Sequence, residues 1–388
     1  MKLGVVGPFR YDYMQGIFKR IPDCEIIYVP ESYIRAGANV RQLLESDVLW
    51  TNVPYYQGLV ASMLHSTFQI PFVLNLEGYP WLQHVQHVKS GVANLSLQDL
   101  AELAFHFADR IVTYPDCCRG RFVDRYPEHA AKTTCVPYGC RFSGRAVPER
   151  PLDRKPVRLL LVSNVELYEK YAGAVMVVDM MEHLKDDVSL TVAVAGDTRN
   201  ELRAYIESKK DPRVRYLGYV EDMGKLYAES DIMVYATFQD LMTYALVEAQ
   251  YWGLPVVVAS EHNSPENVKG LFVPMSAERL AHGVSSLIAD PMQRQALGRA
   301  GAKFVREHLS DDAIAQQYSR LFREVIEANE RGGGAYGGIR LGLPGVTSKA
   351  EEAAVAELCL AALRVTDKRT RSEKLGELRN ILNQNSDR

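Results

Sequence analysis

Short apolar, β-branched runs recur along this chain, each followed by a stretch long enough for a crossover helix, and that alternation limits the fold to few solutions. KLGVV, EIIYV, DVLWT, PFVLNL, RIVTY and TTCV fall within residues 1 to 150. Apolar on both faces, they read as buried parallel strands joined through helices. RLLLVS, SLTVAVAG, RVRYLGYV, DIMVYA, PVVVAS and GLFVP repeat the pattern further on. Each set implies a doubly wound parallel sheet of the α/β class. Between them CRFSGRAVPERPLDRKPV is rich in turn and polar residues and reads as an interdomain linker. Two domains are expected, 1–150 and 151–310, facing across a cleft of the kind that holds small ligands. The pattern stays helical from Ser276 to Asn329, and 311–330 is expected as a closing helix. RGGGAYGG then reads as a flexible joint. The remainder of 331–388 is expected to form a helical tail whose apolar stripe, including Val355, Leu358, Leu360, Ala362 and Leu363, docks on the body or on a second copy in a homo-oligomer.

At 388 residues the chain can bury two cores. Its 47% hydrophobic and 24% charged content is that of a soluble globular protein. A net charge of -3 supplies no basic face for nucleic acid. MKLGVVGPF starts as a strand, without a leader pattern or a membrane-length apolar run, so a cytoplasmic location is expected, with peripheral membrane association left open. The cysteines at 24, 117, 118, 135, 140 and 359 show no CxxC spacing, which indicates neither zinc nor a disulfide framework. The first strand runs into Gly7-Pro8-Phe9, at the strand end where such sheets keep ligands, but the next glycine is Gly16. Without GxGxxG, a dinucleotide site is disfavoured.

The chemical centre lies in ATFQDLMTYALVEAQYWGLPVVVAS, residues 236 to 260. A strand ends at Ala236, Thr243 is placed as an N-cap, Gly253 as a C′ glycine, and Pro255 follows as a stop signal. Asp240 then sits in the loop before a short helix and Glu248 in its second turn. Backbone N–H groups of Leu241, Met242 and Thr243 at the positive end of that helix would favour a phosphate. An acid next to a phosphate must serve neutral hydroxyls, so Asp240 and Glu248 would each hold a polyol. A phosphate between two polyols describes a nucleotide sugar.

These residues carry a resemblance. TFQDLMTYALVEAQYWGLPVVV resembles the acidic loop, second glutamate and Gly-Leu-Pro-Val-Val ending of the family four retaining glycosyltransferases, of glycosyltransferase group 1 type. NSPENV, 263 to 268, is similar to that family's Pro-Glu loop. The resemblance covers most of 1 to 328 and implies the GT-B architecture, two Rossmann-like domains with the acceptor on the first and the donor on the second. It implies that Asp240 holds the donor sugar, Leu241 to Thr243 face sugar and phosphate, and Glu248 holds the ribose. Gly218, Tyr219 and Val220 match the strand end whose backbone meets the nucleobase. Lys170 in LLLVSNVELYEKYAG matches a diphosphate-binding lysine, while Asn164 stands where an arginine is usual. Gly7-Pro8 replaces a glycine pair, Glu77 replaces a histidine after the fourth strand, and Asp240 is one methylene shorter than the usual glutamate.

The resemblance implies a hexosyltransferase that moves a sugar with retention from a nucleoside diphosphate sugar to a glycan, a lipid-linked or a small acceptor. Same-face attack would deliver the acceptor proton to the departing phosphate oxygen. Lys170 and the helix start would neutralise the diphosphate, so neither metal nor cofactor is expected. Two alternatives stay open: a nucleotide-sugar epimerase on the same fold, and an inactive binding or partner subunit, the latter motivated by Asn164, Glu77 and Asp240. His84 and His87 stand three apart on a helix face without a third ligand. Tyr79 and Trp81 could line an acceptor groove or pack, and Arg119, Arg121 and Arg125 read as a solvated helix face.

Overall fold

The computed structural model describes residues 1–7, 11–30, 40–76, 97–114, 116–140, 142, 150–166, 168–185, 187–238, 244–260 and 268–331. The described segments form two compact units, Met1–Pro137 with the chain from Ile314 onward, and Tyr138–Ala313.

In the first unit the order is β1 (Lys2–Val6), α1 (Tyr11–Phe18), β2 (Glu25–Val29), β3 (Val48–Thr51), α2 (Tyr56–Phe68), β4 (Phe72–Asn75), α3 (Leu97–Phe107), β5 (Arg110–Thr113), α4 (Asp116–Arg125) and β6 (Thr133–Cys135). All pairings are parallel, in the spatial order β2-β1-β3-β4-β5-β6. Alternate side chains divide the strands between two cores, as the two-residue period of a strand requires. Leu3, Val5, Trp50 and Val73 face one side, and Val6, Leu49, Phe72 and Leu74 the other. Helices α2, α3 and α4 fill the second side with Leu64, Ala104, Phe105 and Phe122.

The first side is closed by α1 together with the last described helix, α11 (Asp311–Glu330). Ile314, Ala315, Tyr318, Leu321, Phe322 and Val325 recur at helical spacing and are all buried there. Phe18 stands edge-on to Trp50 and to Tyr318, and Tyr318 donates its hydroxyl to Asn75 Oδ1 at 3.1 Å. Sequence order therefore does not follow domain order, because this helix completes the core of the first unit.

The second unit runs β7 (Val157–Asn164), α5 (Tyr168–Asp179), β8 (Val188–Ala195), α6 (Glu201–Lys209), β9 (Val214–Gly218), α7 (Met223–Glu229), β10 (Ile232–Thr237), α8 (Tyr244–Tyr251), β11 (Val256–Ser260), β12 (Leu271–Val273), α9 (Ala277–Ala289) and α10 (Pro291–His308). Its order is β12-β11-β10-β7-β8-β9, again parallel throughout. Counted from β7 this is the 3-2-1-4-5-6 order of a Rossmann sheet. All strands expected from sequence are present, and the helical stretch from Ser276 divides into α9, α10 and α11. Asp290 makes the first break by accepting the Gln293 N–H at 2.9 Å, with Pro291 at the first helical position.

The boundary between the units lies at Pro137/Tyr138 instead of position 150. Tyr138 packs on Tyr244, and Phe142 stands edge-on to Tyr227 and Trp252. Arg150 donates to the carbonyls of Tyr227 and Ser230, at 2.8 Å each. These contacts tie described parts of the presumed linker to the second unit. Beyond Arg331, the expected joint and tail lie outside the described residues. Among the described residues no helix is long and apolar enough to cross a membrane.

Candidate functional site

Doubly wound sheets hold ligands at the carboxyl ends of their strands, where the order reverses. In the second unit that point lies between β7 and β10. Helix α5 follows β7 and packs on the backbone of β10. A Cβ at Gly173 would collide with the Ala236 carbonyl oxygen and stand 2.6 Å from its carbon. Only glycine permits this approach, and it fixes the start of α5 beside the strand ends. Lys170, in the first turn of α5 and half-buried, is thereby placed at the carboxyl edge.

Asn164 closes β7. Its Oδ1 accepts the Glu166 N–H at 3.2 Å, and the neighbouring Val165 N–H donates to Ala195 O at 2.8 Å. Gly196, just past β8, has φ +79, and a Cβ there would run into Asn164 Oδ1. The asparagine thus shapes the turn between the strand ends where the resemblance expects an arginine.

At the end of β9 lie Gly218, with φ +67, Tyr219, whose side chain is exposed, and Val220, half-buried. Beneath Gly218, Tyr216 donates to Asp197 Oδ2 at 2.8 Å. Asp197 also accepts the N–H groups of Leu202 and Arg203 at 3.2 and 3.1 Å, which caps α6. Burial, reinforced by the Asp197 carboxylate, pushes the Tyr216 hydroxyl up to about 12. The phenol therefore stays protonated and keeps donating.

Glu248 is the fifth residue of α8 and is buried, with 4% of its surface exposed. Tyr227, the fifth residue of α7 and wholly buried, donates its hydroxyl to Glu248 Oε2 at 2.8 Å. A buried carboxylate needs such a donor, since desolvation otherwise neutralises it. Sequence reading missed Tyr227, Asp197 and Tyr216. Tyr227 occupies an apolar position of its helix and looks like core, which its ring is.

In the first unit Gly7 follows β1 with φ +32, and its N–H donates to Val29 O at 2.7 Å, so that donor belongs to the sheet. Asp240, Leu241, Met242, Thr243 and Glu77 lie outside the described residues, as do Tyr79, Trp81, His84, His87 and most of NSPENV. The described part of the second unit thus brings Asn164, Lys170, Gly218, Tyr219, Val220 and Glu248 into one domain. Of the arginine group, Arg119 donates to Thr133 O at 3.3 Å and Arg125 lies over the Tyr126 ring, which makes both part of the fold around α4.

Residues 156–290 match the family described as glycosyl transferases group 1. The O-antigen chain mannosyltransferase B of Escherichia coli is 26% identical over 230 residues, which are 57% of this chain and 51% of that protein. The chain thus spans about half the length of that relative. Two solved structures share the fold. Anabaena Alr3699/HepE in complex with UDP-glucose aligns with a TM-score of 0.63 at 15% identity, over 84% of this chain and 100% of that one. Sucrose-phosphate synthase from Thermosynechococcus elongatus aligns with a TM-score of 0.64 at 16% identity, over the same shares. Residues 156–290 are thus similar to the glycosyl transferases group 1 family, and the two parallel-sheet domains of the chain have the GT-B fold.

Proposed function

We propose that this protein is a retaining glycosyltransferase that moves a hexose from a nucleoside diphosphate sugar to an acceptor alcohol. The observation that carries the reading is the buried Glu248, hydrogen-bonded by Tyr227, on the helix that follows β10 in a group 1 glycosyltransferase domain. A carboxyl group at this depth accepts strong hydrogen bonds, and ribose hydroxyls are donors of that kind. Both the UDP-glucose bound by the Anabaena neighbour and the mannosyl transfer named for the Escherichia coli relative fit a nucleotide-hexose donor.

In this reading Gly218, Tyr219 and Val220 meet the base and Glu248 the ribose. Lys170 and the amides of Leu241, Met242 and Thr243 meet the diphosphate, while Asp240 holds hydroxyls of the transferred sugar. Asn164 shapes the adjoining turn. The chemical task is to stabilise charge that grows on the leaving diphosphate as the glycosidic bond breaks. A fixed donor aimed at such charge contributes about 3 to 4 kcal/mol. The acceptor hydroxyl attacks the same face, and its proton passes to the leaving phosphate oxygen. Neither acid acts as a nucleophile. With lysine and amides neutralising the diphosphate, turnover needs no divalent cation.

The test is release of nucleoside diphosphate from uridine, guanosine and adenosine diphosphate sugars, with the product anomer read by NMR and a chelator arm. Donor-dependent release that survives the chelator and is lost in Glu248→Ala supports the proposal. Interconversion of the donor sugar without transfer would replace it with an epimerase, and nucleotide binding without turnover with an inactive subunit.

A further inference from the structure

The geometry points to Tyr227 as a positioning residue that aims Glu248 at the ribose, an inference that rests on the donor reading above. Helices α7 and α8 each follow a strand of the same parallel sheet and so start at its carboxyl edge. Tyr227 and Glu248 are both fifth in their helices, so at the helical rise each Cα lies about 6 Å along from its helix start. Side chains in a helix tilt toward its N-terminus, here toward the edge where ligands of such sheets bind. The 2.8 Å hydrogen bond from the Tyr227 hydroxyl to Glu248 Oε2 therefore joins two neighbouring helices just beneath the proposed ribose site.

Tyr227 is itself held at both ends. Its ring is fully buried with Phe142 edge-on at 6.0 Å, and its carbonyl accepts Arg150 Nη2 at 2.8 Å. Arg150 Nε takes the Ser230 carbonyl, and Arg154 takes that of Glu229 at 3.0 Å, so two arginines close the C-terminal end of α7. A phenol anchored in this way fixes one carboxylate oxygen in space. A glutamate side chain has three torsions, and that anchor removes rotamer freedom that ligand binding would otherwise have to remove.

The test measures binding of uridine, guanosine and adenosine 5′-diphosphates and their 2′,3′-dideoxy counterparts by calorimetry. Wild type is expected to prefer the ribo form of the diphosphate it binds. Tyr227→Phe should weaken that ribo form by about two- to tenfold, as freeing one glutamate side chain that binding must then order implies, while leaving the dideoxy form unchanged. Arg150→Gln, which keeps the phenol but releases the end of its helix, should give the same selective loss in smaller measure. Equal weakening of ribo and dideoxy forms in both variants would make Tyr227 structural only and overturn the inference, as would an unchanged preference in Tyr227→Phe. Should wild type itself bind ribo and dideoxy forms alike, Glu248 does not serve the ribose and the donor reading of that residue fails first.

Discussion

Gly173→Ala is the sharpest perturbation of the proposed donor domain, because it acts where α5 meets β10 and where Lys170 sits one turn away. In an open helix, alanine for glycine stabilises by about 1 kcal/mol. Here the added methyl group would collide with the Ala236 carbonyl, and would stand 2.6 Å from its carbon and 3.1 Å from the Thr237 nitrogen. These are strand backbone atoms, which cannot rotate aside as a flexible side chain can. Overpacking costs about 1 to 3 kcal/mol, and a rigid obstacle puts this site at the upper end. The net expectation is a loss of about 2 kcal/mol, after subtracting the propensity gain. Urea unfolding followed by tryptophan fluorescence reads it, since Trp252 is buried in the same unit. Gly120→Ala in α4 is the control, because nothing lies within 4 Å of its would-be Cβ, and it should match or exceed wild type. A Gly173→Ala protein as stable as the Gly120→Ala protein would refute the close approach. Moving the start of α5 should also weaken nucleoside diphosphate binding, since Lys170 moves with it.

Other expectations test separate parts of the molecule. Burial, with help from the Lys132 charge, lowers His129 from its ordinary value to about 4. The folded state then binds fewer protons than the unfolded one between pH 6.5 and 4, so its contribution is intact above 6.5 and is lost as pH falls to about 4. At ~1.4 kcal/mol per pH unit this amounts to at most about 3 kcal/mol, and His129→Phe should flatten the urea midpoint against pH in that window. Asp231 is buried and accepts Arg154 Nη1 at 3.0 Å and the Arg158 N–H at 2.9 Å. An amide can accept through only one of its two terminal atoms, so Asp231→Asn should cost about 2 to 3 kcal/mol in urea unfolding. Unchanged stability would contradict those two bonds. Lys170→Ala should lower kcat at least about tenfold with donor, consistent with one charged donor to the diphosphate; a smaller effect would move the phosphate site elsewhere.

What the sequence made legible follows from what repeats in it. Every strand is a local run of apolar, β-branched residues, and the crossover helices force parallel pairing, so both sheets could be read from short windows. The return of α11 to the first unit could not. Its stripe from Ile314 to Val325 announces a buried face without naming the surface that buries it, and here that surface is the sheet bearing Leu3, Trp50 and Val73. The domain boundary failed to emerge for a related reason. Arg150 looks like linker in a polar string, yet burial lowers its guanidinium to about 10 as it donates to Tyr227 and Ser230 carbonyls some eighty positions away. Glu248 was visible because motif spacing is local, whereas its partner was not, because a tyrosine at an apolar helix position gives no sign of where its hydroxyl ends. Between two residues 21 positions apart, a hydrogen bond is decided by the packing of two helices on one sheet. The motif therefore singles out Glu248 as the acid of the proposed site, and the fold determines what holds its carboxyl group.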